Sequence, residues 1–229
     1  MHILSGGAAA AVVKAVQTEF EKSTGTSIHA TFSAVGQMRD QLLGGAPCDV
    51  IILTKPLIAQ LIASGHVIAG SERSLGCVKT GIAVRTGTKH PIVKTREQLR
   101  VAMSEAQGIY FPDPDKATAG IHFMNVLKEL GLDETMQSKF RVFPNGATAM
   151  GEMAKSLDTN LIGCTQVTEI NYTKGVDLVD VLPTEFELST DYTLGLCTHS
   201  HNLGYAELLA NLLTGNASTA IRKQGGFEF

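Results

Sequence analysis

The first 65 residues alternate strand-like and helix-like segments, β-α-β-α-β-α, and this alternation constrains the chain more than any other feature. His2-Ile3-Leu4 reads as a short buried strand, which Ser5-Gly6-Gly7 turns into a helix over about 8–22. Ala9, Val12, Val13, Val16 and Phe20 fall on one face of that helix. Gly25 is placed to end it in a left-handed cap. A second strand is expected over 27–32, a short helix over 37–43 and a third strand over 48–53. The helix over 55–63 carries Pro56 in its first turn, where a missing N–H costs nothing, and Gly65 stops it. Near-continuous apolar strands joined by helices predict an α/β fold with a parallel sheet covered by helices.

Open α/β sheets bind ligands beyond the carboxyl ends of their strands. Ser5, Ser33 and Thr54 all fall there, each just before a helix whose first N–H groups and positive dipole end turn to the same place. The guest expected there is an anion. Serine and threonine at such junctions are also ordinary N-caps, and capping alone would explain any one of them. The case for a site rests on three in register.

The middle of the chain repeats the pattern without repeating the sequence. Strands are expected over 78–85, 108–111, 140–143, 161–165 and 176–182, with helices between them. Pro112-Asp113-Pro114 opens a rigid loop into a helix carrying Phe123, Val126, Leu127 and Leu130 on one face. Thr118 is placed to cap that helix, leaving N–H groups at Ala119 and Gly120 as a second anion-facing end. A strand over 194–198 and helices near 205–213 and 217–223 close the chain. The expected organisation is one lobe from 1–85 plus 183–229 and a second from 86–182, with two chain crossovers forming a hinge and a cleft between lobes.

The net charge of −3 and the absence of any run of five like charges give no footprint for nucleic acid. Tryptophan is absent, which argues against a stacking platform. No apolar run approaches the roughly 20 residues of a membrane helix. Met1 leads straight into a strand with no basic, signal-like segment, so the chain reads as cytoplasmic as written, or periplasmic if a signal was removed upstream. Cys48, Cys77, Cys164 and Cys197 are widely spaced beside apolar runs and read as buried free thiols. His199-Ser200-His201 offers two histidines at i, i+2 on a loop, too little for a metal-ligand set, so no metal site is assigned. No nucleotide loop or nucleophile elbow occurs, and no cofactor is expected.

Gly45-Ala46-Pro47-Cys48-Asp49-Val50 resembles the G-A-P-A-D-V signature of the molybdate-binding periplasmic proteins. Phe20-Glu21-Lys22 with Thr24-Gly25, Asp113-Pro114 with Ala119-Gly120, and Ile162-Gly163 with Thr168-Glu169 are similar to further segments of that family, in the same order. The resemblance implies a type II periplasmic-binding-protein fold, two α/β lobes with a small anion in the cleft. It places ligand contacts near Ser5, at Gly36 or its neighbours Ala34 and Val35, at Thr54 and Ala119, near Thr148 and at Gln166. The departures matter. Ala34-Val35-Gly36 stands where the family has a serine pair, Thr54 where it has alanine, and Gln166 where it has a tyrosine. The Asp49-Val50-Ile51-Ile52 and Ile82-Ala83-Val84-Arg85-Thr86-Gly87 runs look more like a subgroup that includes aconitate isomerase.

The candidate ligand-binding residues are therefore Ser5, Gly6, Gly7, Ser33, Val35, Gly36, Thr54, Lys55, Thr118, Ala119, Thr148 and Gln166. The expected ligand is a small anion, a di- or tricarboxylate rather than molybdate. The expected partner, if the chain is exported, is an ABC transporter permease. The alternative is an isomerase interconverting cis- and trans-aconitate by an allylic proton shift. That chemistry needs a base and an acid, for which His122 and Glu169 are the candidates, and donors for the carboxylates. Each candidate has a plainer reading: His122 as a solvent-facing helix residue, Glu169 as a first-turn carboxylate complementing a helix dipole.

Overall fold

The computed structural model describes residues 1–229. The chain divides into two compact units, Met1–Val78 with Thr190–Phe229, and Lys79–Ser189. It passes from one to the other twice.

In the first unit, β1 (His2–Gly6), β2 (His29–Ser33) and β3 (Val50–Thr54) lie side by side in parallel, with β1 in the centre. Their crossovers are α1 (Ala10–Thr24), entered through a 3-10 turn at Gly7–Ala9, and α2 (Val35–Leu43); α3 (Lys55–Ala63) follows β3. Every residue of the Val50–Thr54 strand is buried, as a strand covered on both faces must be. The expected apolar face of α1, Ala9 through Phe20, is buried at all five positions. Burying each of its larger side chains contributes about 2 kcal/mol. Gly25 closes α1 at φ +68°, donating to Glu21 O.

The remaining strands of this unit are antiparallel. β9 (Ser189–Leu196) pairs with β3, and the start of β4 (Arg73–Arg85) pairs with β10 (Phe227–Glu228). Both β4 and β9 begin about five residues earlier than the sequence predicts. Their first halves, Arg73-Ser74-Leu75-Gly76-Cys77 and Ser189-Thr190-Asp191-Tyr192-Thr193, carry no apolar run. Gly76 sits at φ +121° where a Cβ would strike Glu228 O, so the glycine that breaks the sequence pattern is what lets β10 approach. Helices α8 (Leu203–Thr214) and α9 (Thr219–Gly225) end the unit. The buried guanidinium of Arg222 ties them to β4 through Leu75 O and Thr214 O, both at 2.8 Å.

The second unit places β5 (Gly108–Pro112) between β7 (Leu161–Gln166) and β6 (Phe140–Phe143), all parallel. The second half of β4 runs antiparallel to β7 and to β8 (Val176–Val181). Four helices belong here: α4 (Arg96–Glu105), α5 (Thr118–Glu129), α6 (Gly146–Lys155) and the short α7 (Val167–Tyr172). Phe111, Phe123, Leu99, Met103 and Leu127 form one core cluster; Met150, Met153 and Ile170 anchor another. All four cysteines are free thiols; three are buried as expected and Cys77 is half-buried.

Candidate functional site

The carboxyl ends of β2, β1 and β3 form one edge of the first unit. Register pairs Gly6 with Ser33 and Ser5 with Ile52, which brings Ser33, Ser5-Gly6 and Thr54 to three adjacent strand ends. Ser5, Ser33 and Thr54 are all buried. None of the three acts as a helix cap. Ser5 Oγ donates to Gly6 O at 2.9 Å, and Ser33 Oγ donates to Gln37 Oε1 at 2.6 Å. Thr54 occupies the N-cap of α3 without a side-chain cap bond, and Ala34 holds that position for α2, also without one. The capping explanation for these hydroxyls is therefore set aside by the geometry.

Gly6 has a steric reason to be glycine. A Cβ would stand 2.8 Å from Val35 Cγ1 and 3.2 Å from Tyr192 Cε1. Val35 is buried, while Gly7 and Gly36 are partly exposed in the first turns that follow. Tyr192, which faces Thr54 across the β3–β9 ladder, was not singled out from the sequence. It lies in the stretch that hides the start of β9. Lys55 is exposed and borders a separate depression of about 250 Å³ that also holds Glu72, Arg73 and Asp191.

In the second unit the carboxyl end of β5 runs into a loop built on Asp113. Its Oδ1 accepts from the N–H of Asp115 at 2.7 Å and of Lys116 at 3.2 Å. Helix α5 then starts with Ala117 at the N-cap and no side-chain cap. Thr118 is the first helical residue and does not cap, contrary to the sequence expectation, because the chain turns helical one residue early. A Cβ on Gly120 would collide with Pro112 O and Asp113 O, so only glycine lets the first turn of α5 rest on the end of β5. This explains the Ala119-Gly120 pair; Ala119 is buried.

His122, one turn further, is half-buried, and its Nε2 lies 2.7 Å from Phe186 O. A carbonyl can only accept, so Nε2 carries the proton and Nδ1 is left as an acceptor. His122 is therefore a held ring and not a solvent-facing side chain.

Helix α6 differs. Asn145 caps it, Oδ1 accepting from Thr148 N–H at 2.8 Å. Thr148 itself is exposed. The buried carboxyl of Glu169 accepts from Thr165 Oγ1 at 2.5 Å and from the N–H groups of Ala147 and Gln166. A Cβ at Gly146 would overlap this carboxyl group. Burial raises the Glu169 pKa, and these three hydrogen bonds partly oppose the rise.

At the end of β7, Gln166 is 2% exposed, and neither its amide nitrogen nor its oxygen has a partner. Directly opposite in the β4–β7 ladder stands Thr80, whose buried hydroxyl is equally unpartnered. The Thr168 hydroxyl, two residues beyond Gln166, is in the same state. Two such side chains facing each other, Gln166 and Thr80, are unusual, since buried polar groups are almost always bonded. The sequence reading singled out Gln166; it gave Thr80 no role and cited Thr168 only within a segment resembling the family.

With this geometry in hand, the comparisons are informative. The description "bacterial extracellular solute-binding protein" matches residues 1–228. The chain belongs to that family. An aconitate isomerase from Pseudomonas sp. is 25% identical over 234 residues, covering 98% of this chain and 86% of that protein. The periplasmic molybdate-binding protein of Azotobacter vinelandii superposes with a TM-score of 0.82 at 16% identity, over 100% of this chain and 99% of its own. The sulfate-binding protein SubI of Mycobacterium tuberculosis H37Rv gives 0.76 at 15% identity, over 99% and 85%. At such identities the structures speak for the fold alone, and that fold is the type II periplasmic-binding-protein fold expected from the sequence. No helix of this solute-binding-protein family member is long and apolar enough to cross a membrane.

Proposed function

We propose that this chain binds a small di- or tricarboxylate, with Gln166 at the end of β7 as a contact. The observation that carries the reading is the unpartnered amide of Gln166 opposite the unpartnered hydroxyl of Thr80. An amide offers a donor and an acceptor together, and hydroxyls do the same. Such a set suits a ligand carrying both carboxylate and carboxyl or hydroxyl groups better than a fully ionised tetrahedral oxyanion, which only accepts. The uncapped first turns of α2 and α3 in the first unit and of α5 in the second offer further N–H donors for negative charge. The aconitate-isomerase relative supports a carboxylate guest. As an exported receptor the chain would deliver its ligand to an ABC transporter permease.

A second reading is favoured by His122. Its imidazole is fixed by Phe186 O with Nδ1 left to accept a proton, near the first turn of α5. A held base beside an anion-binding end is what an allylic proton shift between cis- and trans-aconitate requires. Glu169 is the other candidate for that step, and its carboxyl is already bonded to Thr165, Ala147 and Gln166.

The test is titration calorimetry of the wild type and Gln166→Leu with cis-aconitate, trans-aconitate, citrate, molybdate and sulfate, with ultraviolet absorbance followed after mixing each aconitate isomer. Tight carboxylate binding, weakened at least tenfold by Gln166→Leu, is expected; tenfold corresponds to about 1.4 kcal/mol. Because leucine removes an unpartnered buried amide, the variant's stability without ligand should hold or rise slightly. Binding confined to molybdate or sulfate would overturn the carboxylate reading. Exchange between aconitate isomers, abolished by His122→Ala, would establish the second reading over the first.

A further inference from the structure

At the other end of the first unit's sheet, where β1 and β3 begin and β9 finishes, lies a cavity of about 540 Å³. Its lining includes Cys48, Cys197, Asp49, His66, His199 and His201. None of these belongs to the candidate ligand site. Both thiols line this cavity, and Cys48 lies close enough to act directly on the Cys197 thiol. Cys48 Sγ donates to Val50 O at 3.3 Å. The backbones are held as well, with Cys197 N–H donating to Asp49 O at 2.9 Å. Asp49 pins the surroundings through His2 N–H at 2.7 Å and Ser200 Oγ at 2.6 Å. Cys48 also stands where the signature it resembles has alanine, so the fold does not demand a thiol there.

We infer that Cys48 and Cys197 form a redox-active dithiol that closes to a disulfide by exchange with a small-molecule disulfide admitted through this cavity. A disulfide needs two cysteines that the backbone already holds near one another, and the 2.9 Å bond from Cys197 N–H to the carbonyl of Asp49, the residue next to Cys48, places them so. The chemistry balances as two exchanges. Cys48, 9% exposed against 1% for Cys197, loses its proton and attacks one sulfur of the oxidant R–S–S–R. The first R–S⁻ leaves and takes up that proton, giving a mixed disulfide on Cys48. Cys197 then loses its proton and attacks Cys48 Sγ, and the second R–S⁻ leaves as the thiol. Two protein thiols are oxidised by two electrons, one disulfide is reduced, and two R–SH are released.

The contact with Cys48, followed by burial, pushes the Cys197 thiol up. Closing the pair ties the head of β3 to the end of β9, across most of the chain. The result is a staple that responds to thiol–disulfide balance and acts on the strand that ends at Thr54.

The test uses the full chain under native conditions. It is incubated with oxidised glutathione, quenched with an alkylating agent, digested without reduction and mapped by mass spectrometry. Expected are a single Cys48–Cys197 cross-linked peptide, loss of two of the four thiols, and a rise in Tm of roughly 5 °C or more that dithiothreitol reverses. Cys48→Ser and Cys197→Ser should each abolish the cross-link, the rise and the two-thiol loss. Retention of four thiols, a glutathione adduct on Cys48 that never resolves, or a cross-link involving Cys77 or Cys164 would each overturn the inference. The wild-type readings stand even if a serine variant folds poorly.

Discussion

Helices α5 and α6 are neighbours in sequence, each following a parallel strand of the second unit, and they begin in opposite ways. At α6 the protein supplies its own acceptors, Asn145 Oδ1 for Thr148 N–H and the Glu169 carboxyl for Ala147 N–H. At α5 it supplies none, and Gly120 lets the open first turn press onto the end of β5. The same contrast recurs across the chain. Thr95 and Asn202 cap α4 and α8, which follow the antiparallel strands β4 and β9 and so start at the far end of each sheet. The helices α1, α2 and α3, which follow β1, β2 and β3, have no side-chain cap. Among the helices that directly follow strands, side-chain caps close α4, α6 and α8 and are missing at α2, α3 and α5, where an anion is proposed to sit. A serine, threonine or asparagine at a helix start is ordinary; a row of helix starts without a working cap is not.

The largest expected effect comes from breaking the closed end. Glu169→Leu would leave the Ala147 and Gln166 N–H groups and the Thr165 hydroxyl without an acceptor in a buried place. A loss of roughly 3 kcal/mol in urea unfolding is expected. The pH dependence has a definite sign. Burial raises the Glu169 pKa in the folded chain, so the folded state holds that proton more tightly than the unfolded one. Its contribution to stability is complete below the ordinary carboxyl value of 4.5 and is lost as pH rises through the higher folded value. Glu169→Gln should flatten that part of the stability–pH curve; an unchanged slope would show that another group is responsible.

The open end is broken by Gly120→Ala, whose Cβ would meet Pro112 O and Asp113 O. Backbone atoms cannot yield as a side chain does, so α5 must move off the end of β5, at a cost of about 2 kcal/mol. Anion affinity should fall with it, whereas Gly151→Ala in the middle of α6, where a Cβ meets nothing within 4 Å, should leave affinity unchanged and raise stability by about 0.5–1 kcal/mol. Equal losses in both variants, read by thermal unfolding and calorimetry, would mean that helix position at α5 is not what organises binding.

How much of this was legible beforehand divides along the same line. The parallel strands and the covering helices were readable because burial on both faces writes an uninterrupted apolar run, as in Val50 to Leu53, and because Gly25 and Gly65 punctuate the helices. The first halves of β4 and β9 were not readable. There, strand conformation is imposed by a partner, β10 or β3, on residues with no strand pattern of their own. At the candidate site, Ser5, Ser33 and Thr54 were visible as residue types, but whether they cap could only be decided by geometry. Thr118 looked like a cap and is not one, since the backbone turns helical a residue earlier. Thr80 had no signal at all: it acquires meaning only from standing opposite Gln166 across a ladder between residues 86 positions apart. The Cys48–Cys197 contact was hidden for the same reason.

The smallest effect sharpens the comparison most, because it pairs two similar side chains in different duties. Asn145→Ala removes a working cap and should cost about 1 kcal/mol of stability. Thr54→Val keeps the shape of its side chain and removes a hydroxyl that caps nothing, so stability should change by less than about 0.5 kcal/mol. Ligand affinity should respond in the opposite order: down roughly fivefold or more for Thr54→Val, whose hydroxyl stands at the edge with Ser5 and Ser33, and nearly unchanged for Asn145→Ala. Urea unfolding and calorimetry on both variants give the four numbers. If Thr54→Val destabilises as much as Asn145→Ala and leaves affinity alone, the hydroxyl is structural after all, and the uncapped edge of the first unit loses its claim on the ligand.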